Sequence, residues 1–274
     1  DTTDRNRTSP FAFTGNKFEF RMLGSAQNIA LPNIILNTAV AESLSLYADR
    51  LEGATDFHAT LSALLREEFG AHRRIIFNGN GYSKEWEAEA EARGLCNLRT
   101  APEAYDRFDA DKNLHLLTTY HIMSEAEARS RKAVLMENYA KVINIEALTM
   151  IEMAERDLLP AVENDVGRLA RIAADKKTVS ATLPTVWEEG QIRRLSAGMT
   201  RAYAALDELK RADAEAMTHA DDPRTMAFAY CRNVIPAMEA LRHEVDVLET
   251  MVPTEIWPVP NYGDLMFRQQ GKIG

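Results

Sequence analysis

Apolar residues in the C-terminal half of the chain recur at alternating intervals of three and four. Ile192, Leu195, Met199, Ala202, Leu206 and Leu209 keep this spacing, and Val234, Met238, Leu241, Val245 and Leu248 repeat it. On an α-helix such intervals draw one stripe along one face, and two stripes have to close on each other. A long-helix antiparallel bundle is therefore expected over this region. Ser124-Glu125-Ala126-Glu127 marks the start of its first helix, with carboxylates in the first turn. That helix should reach Leu159, bend or restart at Pro160 and continue to Lys177. The next is expected from Pro184 to His219. The last opens at Asp222-Pro223, an N-cap followed by a first-turn proline, and should kink at Pro236.

The N-terminal part reads differently. Phe18, Phe20 and Met22 alternate with Lys17, Glu19, Arg21 and Leu23, which predicts a strand over Lys17–Leu23. Helices are expected from Asn33 to Leu51, Phe57 to Phe69 and Ser83 to Arg93, with shorter ones over Glu103–Phe108 and Asn113–Tyr120. Ile75-Ile76-Phe77 reads as a short strand or extended run. The fold class is thus mainly α with few strands. Three regions follow: 1–120, strand plus helices that need partners; 121–252, the bundle; 253–274, an irregular tail rich in proline and aromatic residues. The chain enters its first strand so soon that it is expected to be a piece of a longer protein.

Composition narrows the function. The 274 residues carry a formal net charge of -9, with Lys and Arg interleaved among Asp and Glu. That argues against a nucleic-acid partner, which needs a basic patch. No apolar run is long enough for a membrane span. Residues 1–10 are polar and do not read as a signal peptide. Cys96 and Cys231, far apart, suit free thiols and a cytoplasmic setting. The six histidines (His58, His72, His115, His121, His219, His243) have no metal-ligand spacing. Asn78-Gly79-Asn80-Gly81 reads first as a plain turn, and only weakly as an anion cradle.

The chemical signal is the charged face of the first strand. Lys17, Glu19 and Arg21 stand in succession, each about 7 Å from the next. A carboxylate there can hold a hard divalent cation, and an arginine can grip a phosphate or carboxylate through two hydrogen bonds. The pattern by itself equally describes an exposed charge ladder. In the first bundle helix, Asn138, Asn144, Glu146, Thr149 and Glu152 interrupt a surface that is otherwise apolar nearly all round. Such a helix is expected to be buried, so these polar groups need partners.

Several runs resemble the type III glutamine synthetases: 4–22, containing Asn6-Arg7-Thr8 and Asn16-Lys17-Phe18-Glu19-Phe20-Arg21; 33–38; 74–80; 144–150; and Trp257-Pro258 through Tyr262-Gly263-Asp264-Leu265. They span most of the chain and resemble the last third of a larger subunit. The resemblance implies the end of a catalytic α+β domain followed by a C-terminal helical region. It implies ATP-dependent joining of glutamate and ammonia through a γ-glutamyl phosphate, with Mg2+ or Mn2+. It further implies Glu19 as a metal ligand, Arg21 and Arg7 as catalytic, and Arg7, Arg5 and Lys17 at the nucleotide. A double-ring homo-dodecamer is the implied assembly, and the chain alone is expected to be inactive. Phe20-Arg21-Met22-Leu23-Gly24-Ser25 departs from other glutamine synthetase types, so roles transfer only within type III. The alternatives are a non-catalytic helical assembly or regulatory module, or a related glutamate–amine ligase.

Overall fold

A computed structural model describes residues 11–13, 18–20, 24, 27–77, 80–81, 83–260 and 265–266. The chain is mainly helical and separates into two compact units, one of residues 1–99 with 107–129, the other of 100–106 with 130–274.

The first unit begins with two short strands, β1 (Phe11–Phe13) and β2 (Phe18–Phe20), paired antiparallel with Ala12 opposite Glu19. Among the described residues the expected strand over Lys17–Leu23 amounts to Phe18–Phe20. Helix α1 covers Ala30–Glu52 and α2 covers Phe57–Ala71. Asp56 caps α2 by accepting from the amide of Ala59 at 3.0 Å. Of the short strand or extended run expected over Ile75-Ile76-Phe77, only the extended part from Ile76 is present. Arg73–Ile75 is a single 3-10 turn, and the backbone becomes extended only at Ile76. Helix α3, Lys84–Ala92, starts under a Ser83 cap and ends at Gly94 with φ 74°. There Leu95 N–H returns to Ala90 C=O and Gly94 N–H to Glu91 C=O, both at 2.9 Å. This left-handed closure needs a residue without a Cβ.

Helix α5, Asp111–Thr119, supplies Leu114 and Leu117 to a small core with Met123 and Ala128, against which Leu31, Ile35 and Phe108 pack. Much apolar surface stays outside it: Val40, Leu44 and Leu46 of α1 and Phe69 of α2 are each more than half exposed.

The second unit is built on three antiparallel rods. Helix α4 (Ala101–Asp106) packs beside α9 (Pro223–Ala229). The first rod is α6 (Glu125–Met153), a π-helical turn (Ala154–Leu158) and α7 (Leu159–Val179). The second is α8 (Val186–Met217), and the third is α9, a π-helical turn (Tyr230–Val234) and α10 (Ile235–Glu249). Ion pairs fix the directions. Lys176 meets Glu188 at one end of α7 and α8, and Glu155 meets Lys210 at the other. Arg201 of α8 pairs with Glu244 of α10 at 2.8 Å.

The helix start expected at Ser124 is closed by a capping box. Glu127 accepts from the Ser124 amide at 2.7 Å, and Ser124 Oγ accepts from the Glu127 amide at 3.2 Å. The periodic stripes form the core: Leu195, Ala202, Leu206 and Leu209 face Leu241, Val245 and Leu248, all at most 9% exposed. Each buried leucine contributes about 2–3 kcal/mol of transfer free energy. Gly198 sits where α10 comes closest: a Cβ there would lie 2.7 Å from Leu248 Cδ2. Val252 and Trp257 fold back into the same core after α10.

The helix restarts at Pro160 as expected, and Pro236 sits in the same setting: each follows a π-helical turn and occupies the start of the next α-helix. The Leu159 amide reaches five residues back to Ala154, and the Ile235 amide five back to Tyr230. The wider turn takes up the register shift that each proline ring demands. One expectation changes: helix α6 is not buried all round. Val142, Ile145 and Leu148 are 50–63% exposed, since a bundle of three rods covers only one side of it.

Candidate functional site

Of the residues singled out for chemistry, Arg5, Arg7, Lys17 and Arg21 lie outside the described residues. Glu19 is in β2, opposite Ala12 of β1. A carboxylate is the right kind of donor for a hard divalent cation, which takes oxygen ligands. Among the described residues no group of three or more His, Cys, Asp or Glu side chains is placed to hold a metal ion. No helix among them is long and apolar enough to cross a membrane.

The polar groups expected to need partners in α6 are resolved unequally. Asn144 finds two across the bundle: its Nδ2 donates to Asp213 Oδ1 and to the Tyr230 hydroxyl, both at 2.9 Å. The Tyr230 hydroxyl itself donates to Asp213 Oδ1 at 3.1 Å. Tyr230 is fully buried and Asp213 is 7% exposed. Burial first, then the adjacent carboxylate, pushes the Tyr230 hydroxyl well above the ordinary phenol range, so it remains a donor. Thr149 bonds within its own helix to Ile145 C=O at 2.8 Å. Glu152 pairs with Arg156, and Glu146 and Asn138 are exposed. The Asn144–Asp213–Tyr230 node ties three rods of the bundle together.

A second polar cluster joins α4 to the bundle. Arg224 forks onto Asp106 with Nε–Oδ1 at 2.7 Å and Nη2–Oδ2 at 2.8 Å, and Lys132 Nζ stands 3.0 Å from Oδ1. The Arg224 fork, reinforced by Lys132, holds the Asp106 carboxyl far below the usual carboxylate range.

Two surface hollows stand out among the described residues. One, of about 420 Å³, is lined by Glu155, Leu159, Pro160, Glu163, Met199, Thr200 and Tyr203 beside the first π-helical turn. The other, of about 570 Å³, is lined by Arg73, Arg74, Ile76 and Arg93. Its three guanidinium groups were not singled out from the sequence. Only the Arg73-Arg74 doublet hinted at them, because Arg93 joins through the fold.

The comparisons with known proteins fall on the same chain. The family model for the glutamine synthetase C-terminal domain matches residues 60–177. The type-3 glutamine synthetase of Dictyostelium discoideum is 34% identical over 97% of this chain. In sequence, the chain resembles the C-terminal part of glutamine synthetases. The glutamine synthetases of Bacteroides fragilis and Butyrivibrio fibrisolvens are 34% and 37% identical, again over 97% of the chain. The chain spans 37–38% of the length of these three glutamine synthetases. The glutamine synthetase C-terminal domain match runs from α2 into α7, and so takes in the arginine-lined hollow, the Asp106 cluster and Asn144.

Proposed function

We propose that this chain forms the C-terminal part of an ATP-dependent glutamate–ammonia ligase. The alignment of 97% of it with three glutamine synthetases carries the reading. The reaction phosphorylates the side-chain carboxyl of glutamate from ATP, and ammonia then displaces phosphate from the γ-glutamyl phosphate. A divalent cation, Mg2+ or Mn2+, supplies charge neutralisation at the transferring phosphoryl group. Glu19 is assigned as one of its ligands. Arg21 and Arg7 balance the charge that develops on the phosphoryl oxygens, with Arg5 and Lys17 beside the nucleotide. One carboxylate does not complete a metal site, so the remaining ligands belong to other parts of the protein. The exposed apolar side chains of α1 and α2 support this, because surfaces of that kind mark contact with further protein.

The setting is cytoplasmic nitrogen assimilation, and the assembly is a homo-oligomer, a double-ring dodecamer. The exposed stripe of Val142, Ile145 and Leu148 supports a packing role for the bundle within it.

The test is a graft. This sequence replaces the corresponding part of the Bacteroides fragilis enzyme, and glutamine formation is measured with Mg2+ and Mn2+. An active hybrid that Glu19→Ala silences without changing its sedimentation is expected. An unaltered rate in the Glu19→Ala hybrid would sink the ligand assignment, and a folded but inactive hybrid of full size would sink the proposed role.

A further inference from the structure

The hollow between α3 and the 3-10 turn is charged against the run of the chain. Acidic residues outnumber Lys and Arg by 41 to 32. Most arginines around the surface are accordingly answered by a carboxylate, as Arg50 is by Glu67, Arg99 by Glu87 and Arg129 by Glu125. Arg73 and Arg74 are exceptions, since neither side chain forms an ion pair or hydrogen bond among the described residues. The third arginine of the hollow, Arg93, is fixed in place. Its Nη1 donates to Ile76 C=O at 3.0 Å and Arg74 C=O at 3.2 Å, and its Nη2 pairs with Glu89. Its guanidinium lies 5.3 Å from the centre of the Trp86 ring, which also stacks on Phe77 with ring centres 3.7 Å apart. Arg74 Nη1 lies 3.6 Å from the Cβ position of Gly94, so the second guanidinium runs along the closed end of α3 beside Arg93.

Three guanidinium groups thus line one hollow of about 570 Å³, and among the described residues Glu89 is the one carboxylate paired with them. That volume suits a small metabolite. Two of the groups have no hydrogen-bond or ion-pair partner among the described residues, while the third is held in place and lends its charge to the wall. We propose that this hollow binds a multiply charged oxyanion, with Arg73 and Arg74 as the gripping residues and Arg93 as the fixed wall. Phosphate and carboxylate groups share the chemistry that a guanidinium fork recognises. The inference does not depend on the proposed ligase activity, and its test reads binding alone.

The experiment is calorimetric titration of the chain at low ionic strength, in parallel with sodium tripolyphosphate and with citrate. The comparison is between the unmodified chain, Arg73→Gln/Arg74→Gln, and Arg193→Gln/Arg194→Gln, which removes the same charge from α8. Both variants alter exposed side chains, and circular dichroism checks that each remains folded. Saturable single-site binding of at least one anion is expected, weakened about tenfold or more by the Arg73/Arg74 change and little by the α8 change. The tighter anion identifies which group the site takes. Absence of binding by both anions overturns the proposal. So does binding unchanged in the Arg73/Arg74 variant, or an equal loss in the α8 variant, which would report net charge alone.

Discussion

Asn144 donates a hydrogen bond to the hydroxyl of Tyr230 across the bundle, and both groups close on one oxygen of Asp213. Three rods are tied by one carboxylate that has no cation beside it among its hydrogen-bond partners. Asn144→Ala leaves that carboxylate short of a donor in a buried place and is expected to cost about 2–4 kcal/mol. Tyr230→Phe removes one donor while keeping the ring, and should cost about 1–3 kcal/mol. Urea unfolding of each variant measures these losses. A variant as stable as the unmodified chain would mean that water replaces the lost partner.

The helical glycines separate packing from propensity. Gly167 and Gly190 have open space where a Cβ would go, so alanine there should stabilise by about 0.5–1 kcal/mol. At Gly198 an added Cβ would come within 2.7 Å of Cδ2 of the fully buried Leu248, and Gly198→Ala should lose that gain and destabilise by about 1 kcal/mol or more. Thermal midpoints of the three variants give the comparison, and the opposite sign at 198 is the decisive feature.

Asp106 gives a pH signature. Its folded-state value lies below the unfolded one near 3.9. The carboxylate therefore stabilises fully above about pH 4, and the contribution fades as pH falls through the folded value. At neutral pH, Asp106→Asn is expected to cost about 1–2 kcal/mol, with the gap to the unmodified chain closing progressively below pH 4. Denaturant midpoints across pH 2–7 test this, and a gap that stays constant would assign the loss to packing instead.

If Arg21 grips the transferring phosphate or the substrate carboxylate, Arg21→Lys in the grafted enzyme keeps the charge but loses the two-pronged hydrogen bond. A fall of about a hundredfold or more in kcat/KM for glutamine formation is expected, with unchanged sedimentation. Near-normal kcat/KM would make Arg21 a structural charge.

The bundle was legible because its signal is local: every buried stripe residue of α8 and α10 recurs at helical intervals. Ser124 and Asp222 were readable as starts for the same reason, since a cap acts within three residues. What a proline does was only half readable. Pro160 and Pro236 announce a missing N–H, but the π-helical turn that accommodates each depends on packing from other rods. Asn144 was visible as a polar group in need, whereas Asp213 and Tyr230 are 69 and 86 residues away. The arginine hollow was illegible because it is assembled by the end of α3 folding over a 3-10 turn at Arg73–Ile75, which runs into the expected strand or extended run.

The π-helical turns bear on how such a chain tolerates changes in length. Elsewhere in a rod, losing one residue would rotate all that follows by about 100°, carrying the buried stripe into solvent. Within 154–158 the turn already holds one residue more than an α-helix needs. A deletion there could be absorbed on the spot, leaving Ala147 before it and Leu169 after it on the same inward face. The proline two positions downstream is what would have to change with it. Each wide turn and its proline thus form a linked pair of characters, gained or lost together.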